Sequence, residues 1–265
     1  MSESDSRFKI GAVSYLNTVP LVWGILRGPQ AAAVELSFSL PSVCAKEVEQ
    51  GGIQIGLVPV AEIARQGLEI VPGVGIASHG AVRSILLFSR VPWNKVRSVA
   101  ADSGSRTSVE LARVILRERF GVQPNIGLQK PFLNQMLENA DAALVIGDPA
   151  LRLDPETLPY DCLDLGAEWR KLTGLPMVFA AWAGKPGLPL QQLQTLLESS
   201  YRFGIERISE IAGLESARRH ISPELANQYL RHHIWFEIGP KEQEGLETFL
   251  ELASLRQTVV ARSAS

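Results

Sequence analysis

Three loops rich in hydroxyl and amide side chains stand where predicted strands end and predicted helices begin. Their sequences are SYLNT at residues 14–18, SGSRTS at 103–108 and GD at 147–148. The first turn of a helix has backbone N–H groups without partners and a partial positive charge, so it can bind carboxylates or phosphates without lysine. Three such loops in one chain favour a binding site for a small anion.

Each loop also has a purely local interpretation. Thr107 and Glu110 have the spacing of a capping box, in which both side chains only complete the start of a helix. Asn17 or Thr18 fits an ordinary helix cap, and Asp148 fits another. Both interpretations stay open for every loop when it is considered alone.

The common catalytic and cofactor motifs are missing from the sequence. It contains no G-x-G-x-x-G, P-loop or G-x-S-x-G pattern, which argues against nucleotide cofactors and the common serine hydrolases. It contains no H-E-x-x-H or C-x-x-C pattern either, and Cys44 and Cys162 fit free thiols in a reducing compartment. His79 is a candidate cleft residue, whereas His232 and His233 fit the surface at a helix end. We therefore expect chemistry that uses no cofactor and no metal.

The composition is that of a globular protein without a polyanionic partner. Of the 265 residues, 46% are hydrophobic, which is too large a share for a disordered chain. The 26 lysines and arginines are balanced by 28 acidic residues, so neither nucleic acid nor a membrane is an expected partner. No signal-peptide pattern is present, and no apolar run reaches the roughly 20 residues that a spanning helix needs. These features predict a cytoplasmic protein with a small-molecule substrate; they do not predict its oligomeric state.

The elements that must position the loops begin with a regular alternation. Strands predicted at residues 9–13, 34–40 and 53–58 are separated by helices at 18–26 and 42–50. This order predicts a mostly parallel sheet with helices on its faces. The strict apolar–polar alternation of 34–40 is typical of a half-buried strand, and Ser42 is the predicted cap of the following helix. Three short strand candidates follow, at 68–71, 74–77 and 84–88.

A second α/β unit is predicted further along the chain. It has strands at 96–100 and 142–146 and a helix at 109–120. A further strand is predicted at 177–182, and the chain after residue 190 is predicted to be all helical. The pattern favours two lobes with a ligand cleft between them, one lobe formed by 1–91 and 180–265 and the other by 92–179. A single doubly wound domain of six or seven strands is the alternative.

The segment IGAVSYLNTVPL at residues 10–21 resembles the N-terminal signature of the menaquinone-biosynthesis family that includes chorismate dehydratase. Weaker matches follow in the family's order: GLVP at 56–59, SRTS at 105–108, LVIGD at 144–148, DLGAEW at 164–169 and TGLP at 173–176. The resemblance implies an α/β fold of the periplasmic-binding-protein type II class, with mixed sheets flanked by helices and a cleft between two lobes. It also implies dehydration of the dianion chorismate to 3-[(1-carboxyvinyl)oxy]benzoate, with the substrate's own carboxylate removing the proton.

The same resemblance implies roles for individual residues. Asn17, in the SYLNT segment, is expected at the reacting centre, where an amide can form hydrogen bonds but cannot act as a base. The residues expected to bind substrate are Ser14, Ser84, Thr107, Ser108 and Asp148. Arg106 fits either substrate binding or a structural salt bridge.

Two departures from the family pattern leave other positions open. The turn His79-Gly-Ala-Val82 stands where Gly-Pro-Val is expected, and Val60 stands where many relatives have serine. The alternatives are a related enzyme that cleaves cyclic dehypoxanthinylfutalosine, which the amide of Asn17 disfavours, and a non-catalytic solute-binding protein, which the lack of a signal peptide disfavours.

Overall fold

The computed structural model describes residues 7–255. Eleven strands lie in this part of the chain: β1 Phe8–Val13, β2 Val34–Ser39, β3 Ile55–Pro59, β4 Glu69–Ser78, β5 Ile85–Ser89, β6 Ser98–Asp102, β7 Asn125–Gln129, β8 Ala142–Ile146, β9 Asp161–Asp164, β10 Met177–Gly184 and β11 Trp235–Ile238. Its eleven α-helices are α1 Val19–Arg27, α2 Pro41–Gln50, α3 Val60–Gln66, α4 Arg106–Phe120, α5 Leu133–Asn139, α6 Asp148–Leu151, α7 Leu165–Thr173, α8 Leu190–Ile205, α9 Ile208–Ser216, α10 Pro223–Gln228 and α11 Pro240–Leu252. Short turns of 3₁₀ helix occupy Leu16–Thr18 and Ala217–Arg219, and a π-helical turn occupies Tyr229–His233.

The strands form two mixed sheets. The six-stranded sheet has the order β11-β4-β10-β3-β1-β2, in which β1 runs parallel to β2 and β3 while β10 runs antiparallel to β3 and β4. The five-stranded sheet has the order β7-β6-β8-β5-β9, with β6 parallel to β7 and β8 and with β5 antiparallel to β8 and β9. This architecture confirms the predicted α/β class with mixed sheets and helices.

The chain crosses from the first sheet to the second between β4 and β5, and it returns between β9 and β10. Both crossings lie N-terminal to the predicted lobe limits at 91/92 and 179/180. β5 begins at Ile85 and already belongs to the second sheet through β8, and β10 begins at Met177 and already belongs to the first sheet through β3. The division into lobes 1–91 with 180–265 and 92–179 stays a prediction.

Apolar runs build the core between these sheets and their helices. All five residues of β8, AALVI, are buried, as the predicted buried strand at 142–146 requires. Gly204 lets α8 approach α1 closely, because a Cβ atom there would lie 2.1 Å from the carbonyl oxygen of Pro20. Trp169 of α7 is fully buried and packs edge-on against Phe249 of α11. None of the helices in residues 7–255 has the length and apolar character needed to cross a membrane.

Several local expectations are wrong. The chain after residue 190 is not all helical, because Trp235–Ile238 pairs with β4 as an edge strand. The strand candidates at 68–71 and 74–77 are one continuous strand, β4. The N-cap of α2 is Leu40 rather than Ser42, with Pro41 at the first helical position, and Leu40 forms no side-chain cap. The alternation at 34–40 does mark strand β2, but this is an edge strand and Phe38 remains 44% exposed.

Candidate functional site

A pocket lined by residues of both sheets contains about 530 Å³ of empty space, with the open solvent at its mouth included. Its apolar wall includes Val13, Leu57, Ile76, Val82, Ile85, Ile146 and Phe179. Its polar wall is formed by Tyr15, Asn17, Thr18, Ser84, Ser105 and Ser108. Among the described residues that line the pocket, none has a charged side chain, so a ligand there meets hydroxyls, an amide and backbone dipoles.

A chain of hydrogen bonds joins the polar wall across the fold. Asn17 Nδ2 donates to the hydroxyl oxygen of Tyr229 over 3.1 Å, and Tyr229 donates to Ser84 Oγ over 2.9 Å. Tyr229 is 1% exposed, and its hydroxyl is the contact that joins Asn17 to Ser84. The Ser84 hydroxyl accepts this bond and keeps its own proton to donate into the pocket.

The N-terminus of α4 supplies the second polar feature. Ser105 is the N-cap, and its Oγ accepts hydrogen bonds from Ser108 N and Ser108 Oγ. The fifteen-residue helix therefore starts at the pocket wall, where its partial positive charge favours an anion. Of the two interpretations left open for Thr107, the capping box is wrong, since Thr107 lies inside the helix and its Oγ1 accepts a hydrogen bond from Ala61 N.

Tyr15 lies against a glycine in the pocket wall. A Cβ atom on Gly147 would lie 2.6 Å from the Tyr15 ring, and Gly147 has a φ angle of +65°. Burial, assisted by the nearby carboxyl groups of Asp102 and Asp148, raises the pKa of Tyr15. The Tyr15 hydroxyl therefore stays protonated and can donate a hydrogen bond to an anion in the pocket.

Asp102 is a buried carboxyl group behind this wall. Its Oδ1 accepts a hydrogen bond from Gly104 N over 2.9 Å, while its buried Oδ2 has no hydrogen-bond partner among the described residues. Burial raises the pKa of Asp102, because the backbone hydrogen bonds to it compensate only part of the lost hydration. A Cβ atom on Gly104 would lie 3.0 Å from the Tyr15 hydroxyl oxygen and 3.3 Å from Asp102 Oδ1, so both groups flank this glycine.

The other residues predicted for substrate binding lie outside the pocket wall. The exposed Ser14 donates from Oγ to the carbonyl oxygen of Ser39. Asp148 is 7% exposed; its Oδ1 accepts a hydrogen bond from Leu16 N over 2.9 Å, and its Oδ2 lies 3.0 Å from Arg219 Nε. Burial raises the pKa of Asp148, although its contacts with Leu16 and Arg219 oppose this rise. The structure thus brings Asn17, Ser84 and Ser108 together at the pocket, and it gives Ser14, Thr107 and Asp148 protein partners.

The three positions left open by the sequence also have protein partners or are buried. Arg106 forms an ion pair with Glu62, which is the structural alternative for this residue. Val60 is 1% exposed at the start of α3. His79 pairs with Glu242 over 2.7 Å and stacks on Trp235 at 4.5 Å between ring centroids. None of these three side chains is part of the described pocket wall.

The sequence reasoning missed Tyr229, the hydroxyl of Tyr15 and the capping role of Ser105. Tyr229 lies 212 residues from Asn17 in a helical turn without a motif, so no local signal could have found it. Ser105 could have been identified from the sequence, because a serine just before a helix commonly accepts a hydrogen bond from the backbone N–H three residues later, here that of Ser108. Residues 7–255 contain no group of three or more His, Cys, Asp and Glu side chains placed to hold a metal ion.

Comparison with known families and sequences finds one consistent relationship. The model of a family described as menaquinone biosynthesis matches residues 8–255. The chain is 29% identical over 210 residues to the chorismate dehydratase of Thermus thermophilus, covering 72% of this chain and 75% of that protein. It is 26% identical over 247 residues to the chorismate dehydratase of Campylobacter jejuni, covering 91% of this chain and 95% of that protein.

Solved structures with a similar fold include binding proteins. A protein of Archaeoglobus fulgidus aligns with a TM-score of 0.75 at 12% identity, covering 96% of this chain and 98% of that one. The alkanesulfonate-binding protein of Xanthomonas axonopodis pv. citri, bound to MOPS, aligns with a TM-score of 0.67 at 13% identity and covers 98% and 97%. At these identities the similarity establishes the fold alone, which is that of the periplasmic binding proteins.

Proposed function

The chain belongs to the menaquinone biosynthesis family, and on this premise we propose that it is a hydro-lyase that converts chorismate to 3-[(1-carboxyvinyl)oxy]benzoate and water. Its two relatives named chorismate dehydratase support this reaction. The observation that carries the proposal is the uncharged polar wall of the pocket, with Asn17 on one side and the N-terminus of α4 on the other.

The pocket suits a small dianion in its chemistry, because uncharged hydrogen-bond donors and the N-terminus of α4 face it. One carboxylate can accept hydrogen bonds from the Ser105 hydroxyl and the first backbone N–H groups of α4, and the other can face Ser84 and Asn17. The predicted substrate contacts of Ser14, Thr107 and Asp148 are not needed for this arrangement.

The reaction removes a proton from the ring carbon that bears the enolpyruvyl ether and the hydroxyl group from the neighbouring carbon. The ring becomes aromatic, and the departing groups leave as water. Because aromatisation drives the step, the protein mainly has to hold one conformer and stabilise developing charge. No Asp, Glu, His or Lys side chain belongs to the described wall, which supports removal of the proton by the substrate's enolpyruvyl carboxylate.

Asn17 is the residue proposed to touch the reacting atoms. Its Nδ2 is held by Tyr229, which fixes the amide plane. Its Oδ1 has no donor among the described residues and can accept a hydrogen bond from the substrate hydroxyl or from the water that forms. In this role the amide orients the leaving group and does not act as a base.

The test is incubation of the purified protein with chorismate, with the aromatic enol ether measured as product. We expect turnover by the wild-type protein, no turnover by Asn17→Ala, and normal turnover by Asn227→Ala, which alters an amide bonded to Ser209 outside the pocket wall. Binding of chorismate without product formation would identify the protein as a non-catalytic binding protein. Cleavage of cyclic dehypoxanthinylfutalosine instead would identify the related enzyme, and near-normal turnover by Asn17→Ala would refute the role of Asn17.

A further inference from the structure

Asp148 connects the two sheets directly behind the pocket. It begins α6 immediately after β8 of the five-stranded sheet. Its Oδ1 accepts a hydrogen bond from Leu16 N, in the 3₁₀ turn that follows β1 of the six-stranded sheet. The two residues are 132 positions apart in the chain. This contact therefore exists only while the two sheets are close together.

The amide that Asp148 binds is the first of the turn that carries Asn17. Backbone N–H groups at the start of a helical turn have no partner inside the turn. The local N-cap, Tyr15, contributes no side-chain hydrogen bond to this turn. Asp148 takes that place from the other sheet, and the contact is buried. A loss of this acceptor would release the turn that sets the direction of the Asn17 side chain.

Arg219 holds the second oxygen of Asp148. Its Nε lies 3.0 Å from Asp148 Oδ2, and its guanidinium group also pairs with the buried Glu215. Arg219 Nη2 reaches the carbonyl oxygen of Ser14, so the same side chain contacts the loop that precedes the turn. Both oxygens of Asp148 are thus occupied by protein groups, and its side chain is not part of the described pocket wall.

We propose that Asp148 is a positioning residue that fixes the turn Leu16–Thr18, and with it Asn17, through a buried contact between the two sheets. The role rests on the proposed function, in which Asn17 touches the substrate. Arg219 forms an ion pair with the other oxygen of this carboxylate.

Hydrogen exchange at the Leu16 amide tests the contact without any substrate. We expect the Leu16 amide to exchange at least about tenfold faster in Asp148→Ala, because it loses its only hydrogen-bond acceptor among the described residues. Asp148→Asn keeps an oxygen that can accept this bond, so its exchange should stay within about threefold of wild type. Asp141→Ala is the matched control, since Asp141 also accepts backbone N–H groups but does so at the other end of β8. Equal exchange in Asp148→Ala and wild type would overturn the proposal.

Turnover of chorismate tests the consequence for Asn17. At a temperature where all variants are folded, Asp148→Ala should lower kcat about tenfold or more with a smaller change in KM, and Asp148→Asn should recover most of kcat. A purely structural residue would lower the melting temperature without this split or rescue, and that result would overturn the proposal. If the wild-type protein forms no product, the proposed function fails, and the exchange measurement alone still supports or refutes the contact. If Asp148→Ala does not fold, Asp148→Asn and Arg219→Met carry the same exchange comparison, with faster Leu16 exchange expected in Arg219→Met.

Discussion

Removal of a single hydroxyl group should disconnect the polar wall of the pocket. The change is Tyr229→Phe, which keeps the ring of a residue that is 1% exposed and deletes the oxygen between Asn17 and Ser84. Each lost hydrogen bond contributes about 1 kcal/mol, and a buried polar group left without a partner costs about 1–3 kcal/mol. Asn17 and Ser84 both lose a hydrogen-bond partner, so we expect the free energy of unfolding to fall by about 1–3 kcal/mol.

The effect on turnover follows from the freedom that Asn17 gains. If the freer Asn17 side chain raises the activation free energy by about 1.4–2.7 kcal/mol, kcat falls about 10- to 100-fold. The assay compares kcat with chorismate and the melting temperature for wild type, Tyr229→Phe and Tyr201→Phe. Tyr201 is a matched control, because it is also buried and its hydroxyl bonds only to Glu237 among the described residues, away from the pocket. Normal kcat in Tyr229→Phe, or an equal loss in both variants, would refute the coupling of Tyr229 to Asn17.

Two further changes test the back wall of the pocket. Gly147→Ala should lower both the melting temperature and turnover, because the new Cβ would lie 2.6 Å from the Tyr15 ring on a backbone with a φ of +65°. Calorimetry and the chorismate assay measure the two effects. An unchanged melting temperature would contradict the prediction. Asp102→Asn should become more stable relative to wild type as the pH rises from acid toward neutrality. Burial raises the pKa of Asp102 in the folded protein above its unfolded-state value of 3.8. The folded protein therefore keeps a proton that the unfolded chain has already released, so wild type loses stability as the pH rises from 3.8 through the folded-state pKa, and Asp102→Asn does not. Melting temperatures of both proteins across this pH range check the prediction, and a difference that does not vary with pH would refute it.

The sequence predicts the strands with the strongest apolar patterns and misses the short ones. The run AALVI gave the bounds of β8 correctly, because every residue of this central strand is buried. In contrast, β9 and β11 have four residues each and carry mixed polar and apolar side chains at sheet edges. Such strands exist through pairing with β5 and β4, a tertiary contact that leaves little periodicity in the sequence.

The candidate site shows the same limit at the level of single residues. The SYLNT loop and the start of α4 were identified because hydroxyl and amide side chains before a helix are a local signal. Thr107 had the spacing of a cap, yet Ala61 N from α3 provides its actual partner and Ser105 caps the helix. Tyr229 had no local signal, since its role exists only through contacts with Asn17 and Ser84.

The uncharged wall has a consequence for the proposed proton transfer. A lysine or arginine beside a substrate carboxylate would lower the pKa of that carboxylate and so weaken it as a base. In the proposed complex, the hydroxyls of Ser84 and Ser105 and the N-terminus of α4 would hold the anion through smaller partial charges, which would leave more of its basicity in place. The same wall is therefore compatible with substrate-assisted removal of the proton, and product formation in the chorismate assay separates this reaction from simple retention of the dianion.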